Sequence, residues 1–338
     1  MIIYTASLLI VLIMIYYQEK LSSFLNLKYR KTNHDISSKK THRIGGLYLF
    51  VFAALNIIFQ NELYLINQKY KLLVFSSLIF FVGFLDDILQ IHNKIKLILI
   101  SIIVLIYVIT SNSFIETFNI SLFDFLNDYL IFKIIISTAC ILIAIISYNV
   151  IDGLDGLLLF EFIKFLMLLY FFTHTPEIIY ILALIVILYY NNYLKNVFFL
   201  GDGGAYFLGF IASVFAINSQ NTLIDVDPWI LACLFSYPFC EQFITIFRRY
   251  FFLKISPFKE DNMHLHHLIF KRVFSLNKNL SLSNKLSSLI ICLFNSIFGI
   301  VIILNYINGS FSFKLLFFLY LIFYILIYLF SYKNVELN

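Results

Sequence analysis

Asn149-Val-Ile-Asp152-Gly-Leu-Asp155-Gly156 separates two apolar runs, residues 129–149 and 156–173, each long enough to cross a bilayer. An unpaired carboxylate in hydrocarbon costs about 2.5–3.5 kcal/mol even on insertion-based scales. The two acids therefore lie either in a loop at the membrane surface or in a polar site within it. Both readings point to function.

The rest of the chain has the same apolar character. Of its 338 residues 61% are hydrophobic and 13% charged, with a mean hydropathy of +0.91. Soluble domains carry about 25% charged residues, so a soluble protein is excluded. A bilayer-spanning helix needs roughly 20 apolar residues, about 17 at the least. Eleven runs fit: 1–18, 44–61, 71–86, 95–113, 129–149, 156–173, 176–192, 203–219, 228–247, 286–306 and 311–331. They predict an all-α polytopic bundle of about 11 transmembrane helices, a single membrane domain over 1–338 with no internal repeat. The four cysteines lie singly within apolar runs and read as small buried hydrophobes, not ligands.

Charge sets the orientation. Eighteen of the 24 basic residues fall in or beside segments 19–43, 86–95, 192–203 and 248–285, and the alternation of the runs puts segment 149–156 on the same side. Acids such as Glu116, Asp124, Asp225 and Asp227 fall in the alternate loops. By the positive-inside rule the basic segments are cytoplasmic, the N-terminus outside and the C-terminus cytoplasmic. The first run has its basic residues after it, the reverse of a cleaved signal, and reads as a retained helix. Lys164 lies within a run three residues after Glu161, a spacing that allows the two to pair.

The same topology gathers chemistry on one face. Gly83-Phe-Leu-Asp86-Asp87 ends the third run, and adjacent acids there call for a cation or a base role; oxygen-rich clusters suit Mg²⁺, which bridges to phosphates. Lys94 and Lys96 follow. Asn149, Asp152 and Asp155, three apart, share one face if the helix continues, and two acids plus Asn exceed what a helix cap requires. Phe199-Leu-Gly201-Asp202-Gly-Gly204 offers a glycine-flanked acid beside an aromatic, a pattern that ordinary turns also show. Lys39-Lys40-Thr-His42-Arg43-Ile-Gly45-Gly46 suits phosphate binding or simply sets topology. The last segment carries Arg248-Arg249, Ser256-Pro-Phe258, Asp261 and His264-Leu-His266-His267. Three histidines in four residues raise zinc, but no cysteine or spaced fourth ligand accompanies them, and contact with phosphate or sugar fits better.

Together, from near Asn33 to Lys285, these motifs resemble the polyprenyl-phosphate N-acetylhexosamine-1-phosphate transferases. The Ser256-Pro-Phe…Asp261…His264-Leu-His-His pattern is most similar to the GlcNAc-1-phosphate branch of O-antigen, enterobacterial-common-antigen and teichoic acid synthesis. It is less similar to the phospho-MurNAc-pentapeptide branch. Gly201-Asp-Gly-Gly-Ala205 conforms to the family pattern. His42 stands where the family usually has proline, and Glu241-Gln242 where it usually has Asp-Thr; these departures bear on sugar preference, not reaction class.

The resemblance implies Mg²⁺-dependent transfer, with Mn²⁺ as a substitute, of a HexNAc-1-phosphate from a UDP-N-acetylhexosamine to undecaprenyl phosphate. UMP is released at the cytoplasmic face of a bacterial inner membrane. It implies Asp202 as metal ligand and one of Asp86 and Asp87 as orienter, base or covalent nucleophile. Asn149, Asp152 and Asp155 would hold the nucleotide, with Phe199 stacked on uracil. Arg43, Lys96, Arg248, Arg249, His264, His266 and His267 would contact phosphates and sugar. Membrane lipid is the expected surrounding partner, nucleic acid is not expected, and a homodimer is left open. The rival from another class is an ion or solute transporter, which tends to show repeats and broken midplane helices.

Overall fold

Each of the eleven apolar runs contains a helix in the computed structural model, which describes residues 2–25, 42–59, 68–222, 227–256 and 261–336. Lys39, Lys40, Asp225 and Pro257-Phe258 lie outside the described residues. In chain order come α1 (Ile2–Tyr16), α2 (Gln18–Phe24), β1 (His42–Arg43), α3 (Gly45–Phe59), α4 (Lys69–Leu89) and α5 (Asn93–Ser111). Next are α6 (Ser121–Asn127), α7 (Leu130–Ile151), α8 (Leu157–Thr173), and α9 (Glu177–Tyr189), which runs on into a π-helical turn, Tyr190–Leu194. The chain continues with β2 (Phe198–Phe199), α10 (Gly201–Thr222), α11 (Pro228–Leu234) and α12 (Ser236–Phe247), extended by a second π-helical turn, Arg248–Phe252. It ends with α13 (Leu265–Asn277), α14 (Leu280–Asn308) and α15 (Phe313–Glu336).

By length and composition six of these helices can cross a membrane, and up to eight if each of two sharply bent pairs counts as one span. The protein is thus an α-helical, multi-pass membrane protein. At 15 residues α3 is apolar but shorter than a full span. The run 228–247 is not one straight helix: α11 and the helix from Ser236 to Phe252 meet at 74°. Pro238 has no N–H to give the carbonyl four residues back, so the ladder breaks at Phe235. Segment 248–285, read above as a loop, contains α13. Its first turn, Leu265 to Leu268, is buried on all sides and Phe270 is buried beyond it, and 13 residues are too few for a membrane-span pattern to register.

Helix α10 is the centre of the bundle, packed against α3, α4 and α7, with almost every side chain from Ala205 to Ile217 buried. Small residues make that position accessible. Where no hydrophobic difference separates lipid from protein, close backbone approach supplies the packing. A Cβ on Gly83 of α4 would sit 2.6 Å from Cα of Gly203, and one on Gly46 of α3 would sit 2.5 Å from N of Gly204. Further along, a Cβ on Gly209 would lie 2.7 Å from Cα of Ile145 on α7. These crossings bring the C-terminal end of α4 and the N-terminal end of α3 against the first turn of α10. Gly83→Ala is expected to force α4 off α10, costing about 1–3 kcal/mol and disordering the acids one turn further on. A thermal melt in detergent with an activity assay on the same sample checks this.

Candidate active site

The first turn of α10 is closed by a carboxylate from another helix. Asp87 Oδ1 accepts the N–H of Asp202 at 3.2 Å, and Oδ2 accepts that of Gly203 at 3.3 Å. Those N–H groups have no partner within their own helix, and the positive end of its dipole favours the negative charge. Gly201 makes the approach possible: its φ is +78°, and a Cβ there would fall 2.5 Å from Asp87 Oδ2. Arg43 Nη1 completes the ring by donating to Asp87 Oδ1 at 3.1 Å. Arg43 is held in place by the parallel pairing of β1 with β2, His42 opposite Phe198 and Arg43 opposite Phe199, continued by Gly46 N donating to Leu200 O at 2.9 Å.

Asp86 belongs to a second set of contacts. Its Oδ1 accepts the N–H of Ile91 at 2.7 Å, and its Oδ2 lies 2.6 Å from Lys96 Nζ. The same ammonium is 3.5 Å from Asp202 Oδ2, so Lys96 bridges two carboxylates from different helices. Side-chain exposure is graded: 2% for Asp87, 10% for Asp86 and 23% for Asp202. Asp87 is thus committed to α10 and Arg43, while Asp202 is the acid most open to an incoming ligand.

The stretch Asn149–Gly156 joins α7 to α8 and is pinned by two carboxamides. Asn284 Oδ1 accepts the N–H of Asp155 at 2.9 Å, and Asn192 Oδ1 accepts that of Gly156 at 2.6 Å. Asn192 also donates to Phe198 O at 2.6 Å, tying this loop to β2. It sits in the π-helical turn that ends α9, and such turns recur at functional sites because they re-aim side chains. Asp155 is buried; burial pushes its carboxyl up to about 6, opposed by Lys285. Asp152 is half-buried and rises to about 8, first from desolvation and then from the negative charge of Asp202, with Arg43 acting against both. Asp152 therefore shares an electrostatic neighbourhood with Asp202, Arg43 and Asp87, whereas Asp155 answers mainly to the helix beneath it.

A carboxyl whose pKa rises from 3.8 to about 8 holds a proton in the folded protein that the unfolded chain gives up. Its stabilising contribution is complete below the unfolded value and is lost as pH climbs through the folded one. Asp152→Asn is therefore expected to raise the melting temperature of the ligand-free protein more at pH 8 than at pH 5. Melting curves at the two pH values test this.

The third part of the site comes from α12 and α13. His264 and His266 lie ring over ring, centroids 5.3 Å apart at 4°, with His267 packed against His266 at 4.3 Å. A Cβ on Gly153 would be 2.5 Å from His266 Nε2, so the histidine face abuts the Asn149–Gly156 loop. Arg248 and Arg249 are buried in the second π-helical turn, and Arg248 is paired with Asp261. That pairing is one the motif did not anticipate: it ties the guanidinium to a carboxylate of the same segment.

The structure thus brings Arg43, Asp86, Asp87, Lys96, Asp152 and Asp202 into one acidic and basic cluster. His264, His266 and His267 adjoin it across Gly153, and Asn149 is in the last turn of α7 beside that loop. Phe199 lies in β2 opposite Arg43, half-buried. Sequence reading missed Asn192 and Asn284, whose role as loop anchors leaves no local signal: each acts on a segment remote in the chain. Among the described residues no group of three or more His, Cys, Asp or Glu is arranged to hold a metal ion. Two carboxylates sharing one ammonium are instead a donor set for a cation that keeps its waters and takes further ligands from phosphates, as Mg²⁺ does. The residues fit that ion.

Fold and site together define a class: a helical membrane protein whose acids, bases and helix N-terminus converge at one end of the bundle, suited to handling phosphates. Residues 70–220 match glycosyl transferase family 4, so the resemblance drawn from the motifs holds over the stretch that carries Asp86, Asp87, Asn149–Gly156 and Asp202. Curated relatives agree. The undecaprenyl-phosphate alpha-N-acetylglucosaminyl 1-phosphate transferase of Escherichia coli O157:H7 is 24% identical over 246 residues, 69% of this chain and 66% of that protein. The Yersinia pestis protein of the same name is 23% identical over 249 residues, again 66% of its length. A Bacillus subtilis protein, described as a probable undecaprenyl-phosphate N-acetylglucosaminyl 1-phosphate transferase, is 25% identical over 312 residues, 88% of this chain and 82% of that one. The match spans just under two thirds of the length of the enterobacterial relatives.

Proposed function

We propose that the protein is a sugar-1-phosphate transferase that moves a HexNAc-1-phosphate, GlcNAc-1-phosphate above others, from a UDP-sugar to undecaprenyl phosphate, releasing UMP. The carrying observation is the bridge Asp86–Lys96–Asp202 beside the Arg43–Asp87 pair at the N-terminus of α10. The reaction joins two polyanions, and a cluster of this kind offsets their repulsion. In the balance of atoms, an oxygen of the lipid phosphate forms a bond to the phosphorus that bears the sugar. The bond from that phosphorus to UMP breaks, and UMP departs with the electron pair.

Arg43 and Lys96 grip phosphate oxygens in this scheme. Asp86 orients the acceptor phosphate or takes its remaining proton, and Asp87 holds Arg43 and the α10 N-terminus in position. Asp202, with Asp86, would hold Mg²⁺, which when bound screens the charge of the transferring phosphates. Asn149 and Asp152 contact the nucleotide, Phe199 stacks on uracil, and the histidine face meets the sugar. Burial of Asp155 favours a supporting role in the loop over direct contact with ligand. The eleven runs cross a bacterial inner membrane with the N-terminus outside, and the site faces the cytoplasm, where sugar nucleotides are found. The product begins a lipid-linked envelope glycan.

Purified protein with Mg²⁺, undecaprenyl phosphate and UDP-GlcNAc is expected to release UMP. Parallel reactions with UDP-GalNAc, their 6-deoxy relatives and UDP-MurNAc-pentapeptide separate the branches of the family. Absence of UMP from every donor overturns the reading.

A further inference from the structure

Glu241 on α12 is a fully buried carboxylate ringed by donors. Its Oε1 accepts the Tyr237 hydroxyl at 2.8 Å and lies 3.2 Å from His266 Nδ1. Its Oε2 accepts the N–H of Leu265 at 3.2 Å and lies 3.4 Å from His264 Nδ1. An ionised carboxylate has about four acceptor sites and nothing to donate, so the His266 Nδ1 facing it must carry a proton, whereas His264 Nδ1 is closer to the Thr245 hydroxyl, at 3.0 Å. Desolvation depresses the pKa of His266, against the opposing pull of Glu241, and this favours a neutral ring. A neutral ring with its proton on Nδ1 has a bare lone pair on Nε2. His266 is 0% exposed, and its Nε2 has no hydrogen-bond partner among the described residues. That nitrogen abuts Gly153, whose missing side chain is what lets the ring come this close to the loop. A buried polar atom without a partner is costly unless a ligand supplies one.

We propose that Glu241 is the positioning residue of the histidine face. It locks His266 as the Nδ1–H tautomer, so that Nε2 is presented beside Gly153 as an acceptor for a hydroxyl or amide N–H of the sugar nucleotide. This rests on the transferase reading for the identity of the ligand but not for the tautomer. A second consequence is that His266 reads a hydrogen-bond donor, while the ionised diphosphate oxygens of the sugar nucleotide, which only accept, are left to Arg43 and Lys96. Glu241 also sets where α13 begins, because the Leu265 N–H it accepts belongs to that helix's unpaired first turn. The groups facing His266 are Glu241 from α12, itself bonded by Tyr237, with His264 and His267 from its own segment and the charge of Asp261 just before it.

The test is carried out on the full-length protein in detergent. Two-bond ¹⁵N–¹H spectra of ¹⁵N-histidine-labelled protein, with His266 assigned by its loss in His266→Gln, are expected to show the proton on Nδ1. In Glu241→Gln the tautomer is expected to mix. KM for UDP-GlcNAc should rise about tenfold, the worth of one substrate hydrogen bond, with a smaller change in kcat. A wild-type spectrum with the proton on Nε2 overturns the proposal, as does a Glu241→Gln protein with unchanged tautomer and KM. Should Glu241→Gln fail to fold, the wild-type spectrum alone decides. Should wild-type protein release no UMP, the transferase reading fails while the spectra still judge the tautomer.

Discussion

Asp202→Asn is expected to lower UMP release by about 10²–10³-fold while leaving the melting temperature equal to or above that of the wild type. The loss follows from removing Asp202, more exposed than Asp86 or Asp87 and the one best placed to hold a cation against the phosphates; single electrostatic contributors of this kind are worth roughly 10²–10³ in rate. Stability behaves differently because Asp202 stands next to other negative charge, with Lys96 shared between it and Asp86. Neutralising it relieves repulsion and leaves Lys96 its shorter contact at 2.6 Å. Asp87→Asn separates the two roles. Its carboxylate accepts from Arg43 and from the N–H groups of Asp202 and Gly203. An amide NH₂ turned toward any of these donors breaks the ring, so activity and melting temperature are expected to fall together. Activity assays and melts on the two variants side by side decide the matter; equal melting behaviour would remove the positioning role given to Asp87.

Much of this arrangement is legible in the chain because bilayer insertion leaves so few options. Eleven apolar runs become helices, and the charged segments between them hold the side chains that converge. Gly83, Gly201 and Gly203 are legible as site glycines. Their reason, backbone-to-backbone packing of α4 on α10 and the room for Asp87, belongs to tertiary structure. Asp86 and Asp87 could not be told apart by sequence, since neighbours on a helix point in different directions only once the helix is packed. The structure gives one to Lys96 and the other to Arg43. The stretch Asn149–Gly156 reads as a nucleotide-holding wall. Packing divides it, with Asp152 toward the acids and Asp155 toward Asn284 and Lys285. Helix α13 was hidden by its brevity, and the bend at Phe235 by the even apolarity of residues on either side of it.

A last expected result concerns two buried charges that the proposed chemistry does not use. Lys164 and Glu161, both buried in α8, are 2.5 Å apart, as their spacing of three residues allows. Asn295 of α14 donates to Glu161 Oε1 at 2.6 Å, and the Tyr320 hydroxyl of α15 donates to Asn295 Oδ1 at 2.7 Å. The pair thus ties three helices together in the interior, where breaking an ion pair by deleting one partner costs about 3–5 kcal/mol because the other charge is left bare. Lys164→Met is expected to destabilise the protein on that scale, and Glu161→Gln combined with Lys164→Met to recover most of the loss. The comparison is made by denaturant titration in detergent over the two single variants and the double. The effect should reach the site. Asn284, which pins the Asp155 N–H, lies on the same helix as Asn295 and about 16 Å from it at 1.5 Å per residue. Gly156 is the residue from which α8 begins. Loosening α8 from α14 therefore slackens both ends of the Asn149–Gly156 loop, and Lys164→Met should raise KM for the nucleotide sugar even in samples that remain folded. A double variant whose loss equals the sum of the two single losses would show that the pair contributes no net interaction, and would leave the helix contacts alone to hold that loop against α14.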